Sequence, residues 1–296
     1  MNPLLKKVRV KLSEKQKHWV GNGFYVNGVL RPTKELYPLT SPFLLMDYAA
    51  PKLFASSSER RGVGEHPHRG FETVTFALQG EIEHRDSAGG GGIIAPGGVQ
   101  WMTAGKGIIH DEYHSPSFSK AGGVFEMIQL WVNLPKAYKL SPAKYQGVTS
   151  EEFSVYELSK GSSLKIIAGD YHDRQGKFKT FSAIDIFQAK ISKGESHNIE
   201  VKESMNTLAF IISGEGFIAE ELVKEGEFVI LESKGSLLEI NSKSDMNILI
   251  LSGQPIKEPF VAHGPFVMST KDEIYEAILD YQSGSMGKIL DGKNES

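Results

Sequence analysis

The sequence predicts an all-β protein of two β-barrels in tandem, followed by a short C-terminal helix. Its 296 residues exceed what one hydrophobic core usually serves, so two domains are expected. Short β-rich runs separated by Gly, Pro, Asn and Ser dominate from about Val20 to Leu251, as in a sandwich or barrel rather than in alternating strands and helices. A helical spacing of apolar residues follows near the end.

Eight runs are the clearest strand candidates, because each has strand length and a high apolar content. They are Glu72–Leu78, Gly80–Arg85, Phe125–Val132, Leu164–Ala168, Ile184–Ile191, Thr207–Ile212, Glu227–Leu231 and Asn247–Leu251. Glycine-rich segments between them, such as residues 89–92, allow the tight reversals of a closing barrel. The four-glycine run lacks the Gly-Lys-Ser/Thr of a phosphate-binding loop, so a nucleotide site is not expected there.

Three regions are expected along the chain. Residues 1–140 are predicted to form an N-terminal metal-binding barrel, 150–255 a C-terminal barrel without metal, and 256–296 a segment with a helix at about 270–282. Ser269 to Glu273 contains an N-cap candidate just before apolar residues at helical spacing. Leu78–Glu81 resembles Ile212–Glu215, a short match that is consistent with duplication of one barrel.

Composition excludes several classes of protein. With 36 acidic and 33 basic side chains and no dense Lys/Arg block, no direct nucleic-acid binding is expected. The chain has no cysteine, which excludes disulfides and thiolate ligands and leaves His, Asp and Glu to hold any metal. No leader-like apolar region or run of about 18 apolar residues is present, so no membrane contact and a cytoplasmic location are expected, with the nucleus as the alternative in a eukaryote.

His66-Pro67-His68 is the sharpest chemical feature of the sequence. Residues two apart on a strand point to the same side, so this pair can offer two imidazoles to one ion. His110-Asp111-Glu112 repeats the spacing with an imidazole and a carboxylate. If the two strands are neighbours, His66, His68, His110 and Glu112 converge. Pro67 cannot donate a ladder hydrogen bond, which places the first pair at a strand start or at a sheet edge.

A simpler interpretation competes with this one. A single His-x-His is more often an accident of an edge strand than a metal site, and only the second pair raises the metal hypothesis above even. His84 and His114 are candidates for outer partners that orient the ligand imidazoles, although ordinary polar loop positions explain them as well.

A longer stretch resembles a known family. Glu65–Val74, Gly80-Glu81, His84–Asp86 and Pro96–His110 are similar to the pirin family of the cupin superfamily. The similarity continues through Gln129–Leu134 and His263–Met268, so it spans nearly the whole chain. It implies two cupin barrels of the jelly-roll type, a bicupin, in which the first barrel holds the metal.

The resemblance also implies the ligand set. It maps three imidazoles and one carboxylate onto His66, His68, His110 and Glu112, whereas the general cupin pattern would use Glu72, which is kept as the alternative carboxylate. One divalent transition metal per chain is expected, iron(II) by resemblance, while the ligand types also suit Mn, Ni, Cu, Co or Zn. Four protein ligands leave about two open positions for exogenous groups. The second barrel has only scattered histidines and is expected to be metal-free.

The resemblance implies a quercetinase, a dioxygenase that opens the flavonol (quercetin) ring with dioxygen. Glu112 is then ligand and proton acceptor for the flavonol 3-hydroxyl. Asp47, Phe71, Met127 and Gln129 are expected to line the substrate pocket, although core packing explains the apolar ones equally well. The alternative is a non-catalytic, redox-responsive iron protein that acts through a protein partner. A third hypothesis, a sugar-phosphate cupin, would need basic residues near the ligands, for which Arg69 and Lys106 are the candidates.

Overall fold

The structure is a computed structural model that describes residues 4–13, 16–31 and 33–290. It is built mainly of strands, and the all-β prediction is confirmed. In the first half of the chain the strands are β1 Val8–Leu12, β2 Lys17–Val20, β3 Phe24–Leu30, β4 Phe43–Phe54, β5 Gly62–His68, β6 Phe71–Gln79, β7 Ile82–Asp86, β8 Gly91–Ile94, β9 Val99–Thr103, β10 Ile108–His114, β11 Gly123–Asn133 and β12 Lys144–Val148.

The remaining strands are shorter on average. They are β13 Ser154–Ser159, β14 Ser162–Ala168, β15 Asp170–Tyr171, β16 Arg174–Gln175, β17 Ile184–Ile191, β18 Ser196–Glu200, β19 Asn206–Ser213, β20 Glu215–Ile218, β21 Glu221–Lys224, β22 Phe228–Leu231, β23 Leu237–Ser242, β24 Met246–Gly253, β25 Val261–His263 and β26 Phe266–Met268. Each of the eight predicted runs overlaps one of these strands.

Helices are few and short. They are α1 Tyr37–Thr40, α2 Pro116–Ala121 and α3 Lys271–Gln282, with single 3-10 turns at Lys136–Tyr138 and Ser150–Glu152. The predicted C-terminal helix is α3, and Thr270 caps it: its side chain accepts a hydrogen bond from the Glu273 backbone N–H while the Glu273 side chain reaches back. None of the helices in the described part of the chain has the length and apolar character that crossing a bilayer requires.

The first barrel consists of two antiparallel sheets. One has the order β5-β10-β7-β8, and the other has the order β12-β9-β6-β11-β4-β3-β2. One part of its interior is an aromatic and aliphatic cluster that includes Phe24, Phe54, Phe118 and Phe125. β5 is an edge strand of the smaller sheet, where the sequence places Pro67.

The second barrel repeats this plan. Its sheets have the orders β18-β23-β20-β21 and β1-β22-β19-β24-β17-β14-β13, which match the first barrel strand for strand. In this match β6 corresponds to β19, so Leu78–Glu81 and Ile212–Glu215 lie at equivalent strand ends. Its core cluster is apolar throughout, and Ile199, Leu238 and Ile240 lie on the strands equivalent to β5 and β10. The two-barrel fold is thus a structural duplication.

Contacts between Cα atoms group the chain into two compact units, and neither unit is one continuous stretch of sequence. One compact unit takes the described parts of Met1–Lys15, Val29–Leu44 and Glu151–Ile256, and the other takes Gln16–Gly28, Leu45–Ser150 and the described part of Lys257–Ser296. Each unit therefore combines three segments. The sequence, in contrast, predicts three consecutive ranges. The reason is strand pairing: β1 is hydrogen-bonded to β22, which lies more than 200 residues further along the chain.

Candidate metal centre and cavity

The two His-containing segments lie on neighbouring strands. β10 pairs antiparallel with β5, and His110 is directly opposite His66 while Ile108 is opposite His68. The imidazole centroids of His66 and His110 are 4.2 Å apart, and that of His68 is 4.9 Å from both. One nitrogen from each of these three rings lies within 4.8 Å of the others. This spacing would let three imidazoles meet at one cation.

Glu112 follows His110 after an irregularity in the strand pairing. The register between β5 and β10 shifts between His110 and Glu112, so Glu112 pairs with Val63. Its carboxylate belongs to a second group with ligand atoms within 4.8 Å of one another, formed with His84 and His110. Glu112 and His110 are both buried. His110 is the residue common to both groups.

Hydrogen bonds donated by Nδ1 place the lone pair on Nε2 in two of the rings. Nδ1 of His66 lies 2.8 Å from the carbonyl oxygen of Gly64, and Nδ1 of His68 lies 3.2 Å from that of Pro265. A carbonyl oxygen only accepts, so the Nδ1 atoms carry the protons and Nε2 keeps a lone pair on each ring. A backbone carbonyl on the far nitrogen is a common way to orient a metal-binding histidine.

The surroundings of His110 show whether these residues fit a metal ion. Among the described residues, its buried Nε2 has no hydrogen-bond partner. A buried unpaired nitrogen is costly unless something outside the polypeptide binds it. Burial, and then the charges of His66 and His68, lower the pKa of His110 well below its usual value. Burial, and then the charge of His66, also lower the pKa of His68 to about 3. Neutral imidazoles are the form that binds metal, so the donor set fits a divalent cation.

A cavity of about 340 Å³ opens beside these residues. Its polar lining consists of His66, His68, Glu112, Asp47 and Gln129. The rest of its lining is Val20, Phe24, Val26, Val63, Met127, Trp131, Gly264 and Pro265. A mostly apolar cavity with a few convergent polar groups is typical of small-molecule sites.

Three of the four predicted pocket residues line the cavity. Asp47, Met127 and Gln129 line the cavity, but Phe71 does not. Phe71 is fully buried behind it, with its ring 4.3 Å from Trp131 and 5.0 Å from His68. The prediction of Phe71 as a lining residue is therefore corrected: Trp131 and His68 stand in its place, and Phe71 supports them.

Glu72 lies away from both groups of candidate ligands. It accepts a hydrogen bond of 2.7 Å from Thr103 Oγ1, and it belongs to neither group of neighbouring ligand atoms among the described residues. Side chains alternate along β6, so Glu72 and Thr75 point to opposite faces of the sheet. Thr75, not Glu72, is hydrogen-bonded to Glu112. Among the described residues, Glu112 and not Glu72 is therefore the carboxylate grouped with His110.

His84 and His114 differ sharply in their surroundings. His84 is buried behind His110, with the two Nδ1 atoms 3.3 Å apart. His114 instead stacks on Phe125 at 4.4 Å, and its Nε2 lies 3.0 Å from the Gly23 carbonyl oxygen. The expectation of an outer-partner role for His114 is corrected, because two residues further along β10 the barrel interior is the aromatic cluster.

Several residues of the site had no role assigned from the sequence. Pro265, Trp131, Asp86 and Gln100 lie inside the motifs that resemble pirins, but motif membership did not indicate which atom each one contacts. Thr75 lies in a predicted strand without any chemical signal. Val20, Phe24 and Val26 read as ordinary apolar strand residues, since nothing in the sequence shows which strand faces a cavity.

Comparison with known proteins agrees with this architecture. The family profile described as Pirin matches residues 26–132, and the profile described as Pirin C-terminal cupin domain matches residues 186–287. A Pseudomonas aeruginosa protein named "Putative quercetin 2,3-dioxygenase" is 41% identical over 281 residues, which are 95% of this chain and 98% of that protein. Pirin-1 of Arabidopsis thaliana is 35% identical over 291 residues, 96% of this chain and 94% of that protein.

A solved structure is also similar over nearly its full length. The crystal structure of quercetin 2,3-dioxygenase from Acinetobacter baumannii superposes with a TM-score of 0.93 at 45% sequence identity, covering 97% of this chain and 100% of that chain. Two family profiles over both barrels and relatives above 30% identity along almost the entire chain establish the relationship. The chain belongs to the pirin family of bicupin proteins.

Proposed function

We propose that the chain is a metal-dependent dioxygenase that opens the ring of a flavonol such as quercetin. The observation that carries this proposal is the buried Nε2 of His110, which has no partner among the described residues and lies beside two further imidazoles and a carboxylate at a mostly apolar cavity. The names of the Pseudomonas and Acinetobacter relatives support the choice of substrate.

The proposed ligands are His66, His68 and His110 through Nε2, and Glu112 through its carboxylate. Three neutral imidazoles and one carboxylate suit a first-row divalent transition metal, and we propose iron(II). Such an ion, when bound, would supply a Lewis-acid and redox centre for dioxygen chemistry. Within this site Glu112 would also accept the proton of the flavonol 3-hydroxyl, because its carboxylate both lines the cavity and lies beside the proposed ligand His110.

The cavity walls fit a flat aromatic molecule. Phe24, Met127 and Trp131 offer apolar and aromatic surface, and a volume of about 340 Å³ lies within the range of small-molecule sites. Gln129 and Asp47 provide polar atoms that would orient the substrate's other hydroxyl groups. Excluding water around the reacting ring is the second task of these walls.

The cavity lining argues against a sugar-phosphate substrate. Among the described lining residues there is no Lys or Arg. Arg69, the candidate for that role, donates hydrogen bonds to the Lys106 carbonyl and to Asp280 instead. A phosphate group would therefore meet no basic side chain among the described residues of the lining.

The first experiment is elemental analysis of native, untagged protein. About one metal per chain is expected, and the His110→Ala variant should lose it. His197→Ala is the matched control, because its imidazole is held by Glu195 in the second barrel. Absence of metal from the native protein, or equal loading of His110→Ala, would refute the ligand assignment.

The second experiment tests the reaction. Protein loaded anaerobically with Fe(II) should consume oxygen on aeration and bleach the absorption band of added quercetin. His66→Ala should do neither, and Val63→Trp, which fills the cavity, should keep its metal and lose turnover. Protein that binds metal but turns over no flavonol with any loaded metal would instead favour the alternative of a redox-responsive regulatory protein with a protein partner.

A further inference from the structure

His110 has two ring nitrogens in different surroundings. Nδ1 lies 3.3 Å from Nδ1 of His84, and Nε2 is the buried nitrogen without a partner among the described residues. A neutral imidazole carries a single proton, on one nitrogen or the other. Only the form protonated on Nδ1 has a lone pair on Nε2 for a cation. The site therefore depends on which tautomer His110 adopts.

The contact between the two Nδ1 atoms admits two arrangements. His110 can donate to His84, which leaves Nε2 of His110 bare, or His84 can donate to His110, which puts the His110 proton on Nε2. The second arrangement would block metal binding by His110. The contact that fixes which nitrogen of His84 carries the proton therefore decides between the two arrangements.

Asp86 lies on the other side of His84. Its Oδ2 is 3.2 Å from His84 Nε2, and its Oδ1 accepts the backbone N–H groups of Ala88 and Gly90, each at 2.9 Å. The side chain of Asp86 is 1% exposed and that of His84 is fully buried, so water does not compete for these contacts. A carboxylate only accepts, so the proton of neutral His84 is on Nε2 and its Nδ1 is an acceptor.

Gln100 also contacts the Nδ1 atom of His84. Its amide nitrogen lies 3.0 Å from His84 Nδ1, and an amide NH2 group can only donate. With its proton on Nε2, His84 can only accept at Nδ1. The contact between the two Nδ1 atoms then requires a proton on His110 Nδ1 and leaves His110 Nε2 free.

The local backbone fits a fixed carboxylate. Three hydrogen bonds, from His84 Nε2 and from the backbone N–H groups of Ala88 and Gly90, hold both oxygens of Asp86 in place. A Cβ built at Gly90 would lie 2.5 Å from Asp86 Oδ2. The glycine at this position of the four-glycine run therefore lets the loop close around the carboxylate.

We propose that Asp86 is a positioning residue which, acting through His84, holds His110 in the tautomer whose Nε2 is free to bind a metal ion. In this chain of hydrogen bonds His110 donates to His84, and His84 donates to Asp86. The proposal rests on the proposed metal site for its consequence, but the tautomer itself is a property of the metal-free protein.

The test is the substitution Asp86→Asn. An asparagine there can still accept from Ala88 and Gly90 with its oxygen, but its NH2 group donates to His84 Nε2. His84 must then donate from Nδ1, and the His110 proton moves to Nε2. Long-range 1H–15N NMR correlations of the metal-free protein report which nitrogen is protonated. The native protein should show the His110 proton on Nδ1, and the variant should show it on Nε2.

Fe(II) affinity, measured by anaerobic competition with a chromophoric chelator, is the second readout. Asp86→Asn should bind Fe(II) about 10- to 100-fold more weakly. The control is Asp111→Asn, which also neutralises a buried carboxylate of the same sheet, but one paired with Arg85 rather than with an imidazole. Its affinity should equal that of the native protein.

The outcomes separate this proposal from the proposed function. An Asp86→Asn variant that keeps the native tautomer, or binds Fe(II) as tightly as the native protein, overturns the role of Asp86 and leaves the metal site standing. A native protein that binds no Fe(II) overturns the proposed function, and the NMR comparison still decides the tautomer. If the variant does not fold, a native His110 protonated on Nε2 is the result that overturns the proposal.

Discussion

Thr75 Oγ1 lies 3.2 Å from Glu112 Oε1, which connects the middle of β6 to the proposed ligand carboxylate on β10. The same hydroxyl lies 2.7 Å from Gln129 Oε1 on β11. One hydroxyl carries one proton, so it can donate to only one of these oxygens at a time. Thr75 thereby links the carboxylate to a side chain of the cavity wall.

The first prediction concerns this hydroxyl. Thr75→Val preserves the shape of the buried side chain but removes the group that orients Glu112. We expect metal affinity to fall by about tenfold, as is usual when a ligand loses its hydrogen-bonding partner. The measurement is the chelator competition with Fe(II). Thr75→Ser keeps a hydroxyl and should bind like the native protein, so equal affinities of the Val and Ser variants would show that the contact is not needed.

The second prediction concerns Lys139. Its Nζ donates to the carbonyl oxygens of Gly70 and Val267 and to Asn133 Oδ1, at 2.7–2.9 Å, and the residue is buried. Lys139→Met would leave these acceptors unpaired, which costs about 3 kcal/mol or more. Because Val267 follows Pro265 closely, the contact from Pro265 to His68 should loosen as well.

Denaturant unfolding and Fe(II) affinity check this prediction together. Lys136→Met is the control, since that side chain is exposed. A Lys139→Met protein with native stability and affinity would contradict a role for the buried amine in holding the Pro265 segment.

The third prediction compares two glycines with the same backbone conformation. Gly70 and Gly89 both have a φ of +84°, but a Cβ on Gly70 would lie 2.1 Å from the Val267 carbonyl oxygen, while a Cβ on Gly89 would meet nothing within 4 Å. Gly89→Ala should cost only the left-handed strain of about 1–2 kcal/mol. Gly70→Ala should cost clearly more, because strand β26 must move. Equal losses of unfolding free energy in the two variants would argue against the close approach at Gly70.

Local pattern was enough to predict most of the fold. The run Ile184–Ile191 has the same bounds as β17, because its apolar residues are buried along the whole strand and turn residues bracket it. The helix α3 was predicted for the same kind of reason, since its capping box is a short-range signal. Pairing between distant segments is not local. Strand β1 pairs with β22, and nothing near either segment indicates this.

The same distinction explains the site. Period two placed His66 and His68 on one side of their strand, and the resemblance to pirins joined His110 to them as a predicted ligand. The carbonyl that orients His68 comes from Pro265, 197 residues away in sequence, and no spacing rule reaches that far. The position of Phe71 is a related case: strand alternation gives the side of the sheet, but it does not show that Phe71 packs against Trp131 and His68, which line the cavity.

The last prediction is a dependence of stability on pH that arises at Glu72. Burial raises the pKa of Glu72 from 4.5 to about 7, and the hydrogen bond from Thr103 only partly opposes this. Between pH 4.5 and about 7 the folded protein therefore binds a proton that the unfolded chain has released. Stability from this group is fully present below pH 4.5 and is lost as the pH rises through about 7.

Glu72→Gln removes the titration while keeping an oxygen for Thr103. At pH 8 the variant should be more stable than the native protein by up to about 3 kcal/mol, and near pH 4.5 the two should be equal. Unfolding in urea at pH 4.5, 6 and 8 measures this. Glu81→Gln serves as the control of opposite sign, because hydrogen bonds from Ser115 and Ser117 lower the pKa of Glu81, so its ionised form stabilises the fold above its unfolded pKa. Parallel stability curves for Glu72→Gln and the native protein would show that Glu72 is ionised in the folded barrel.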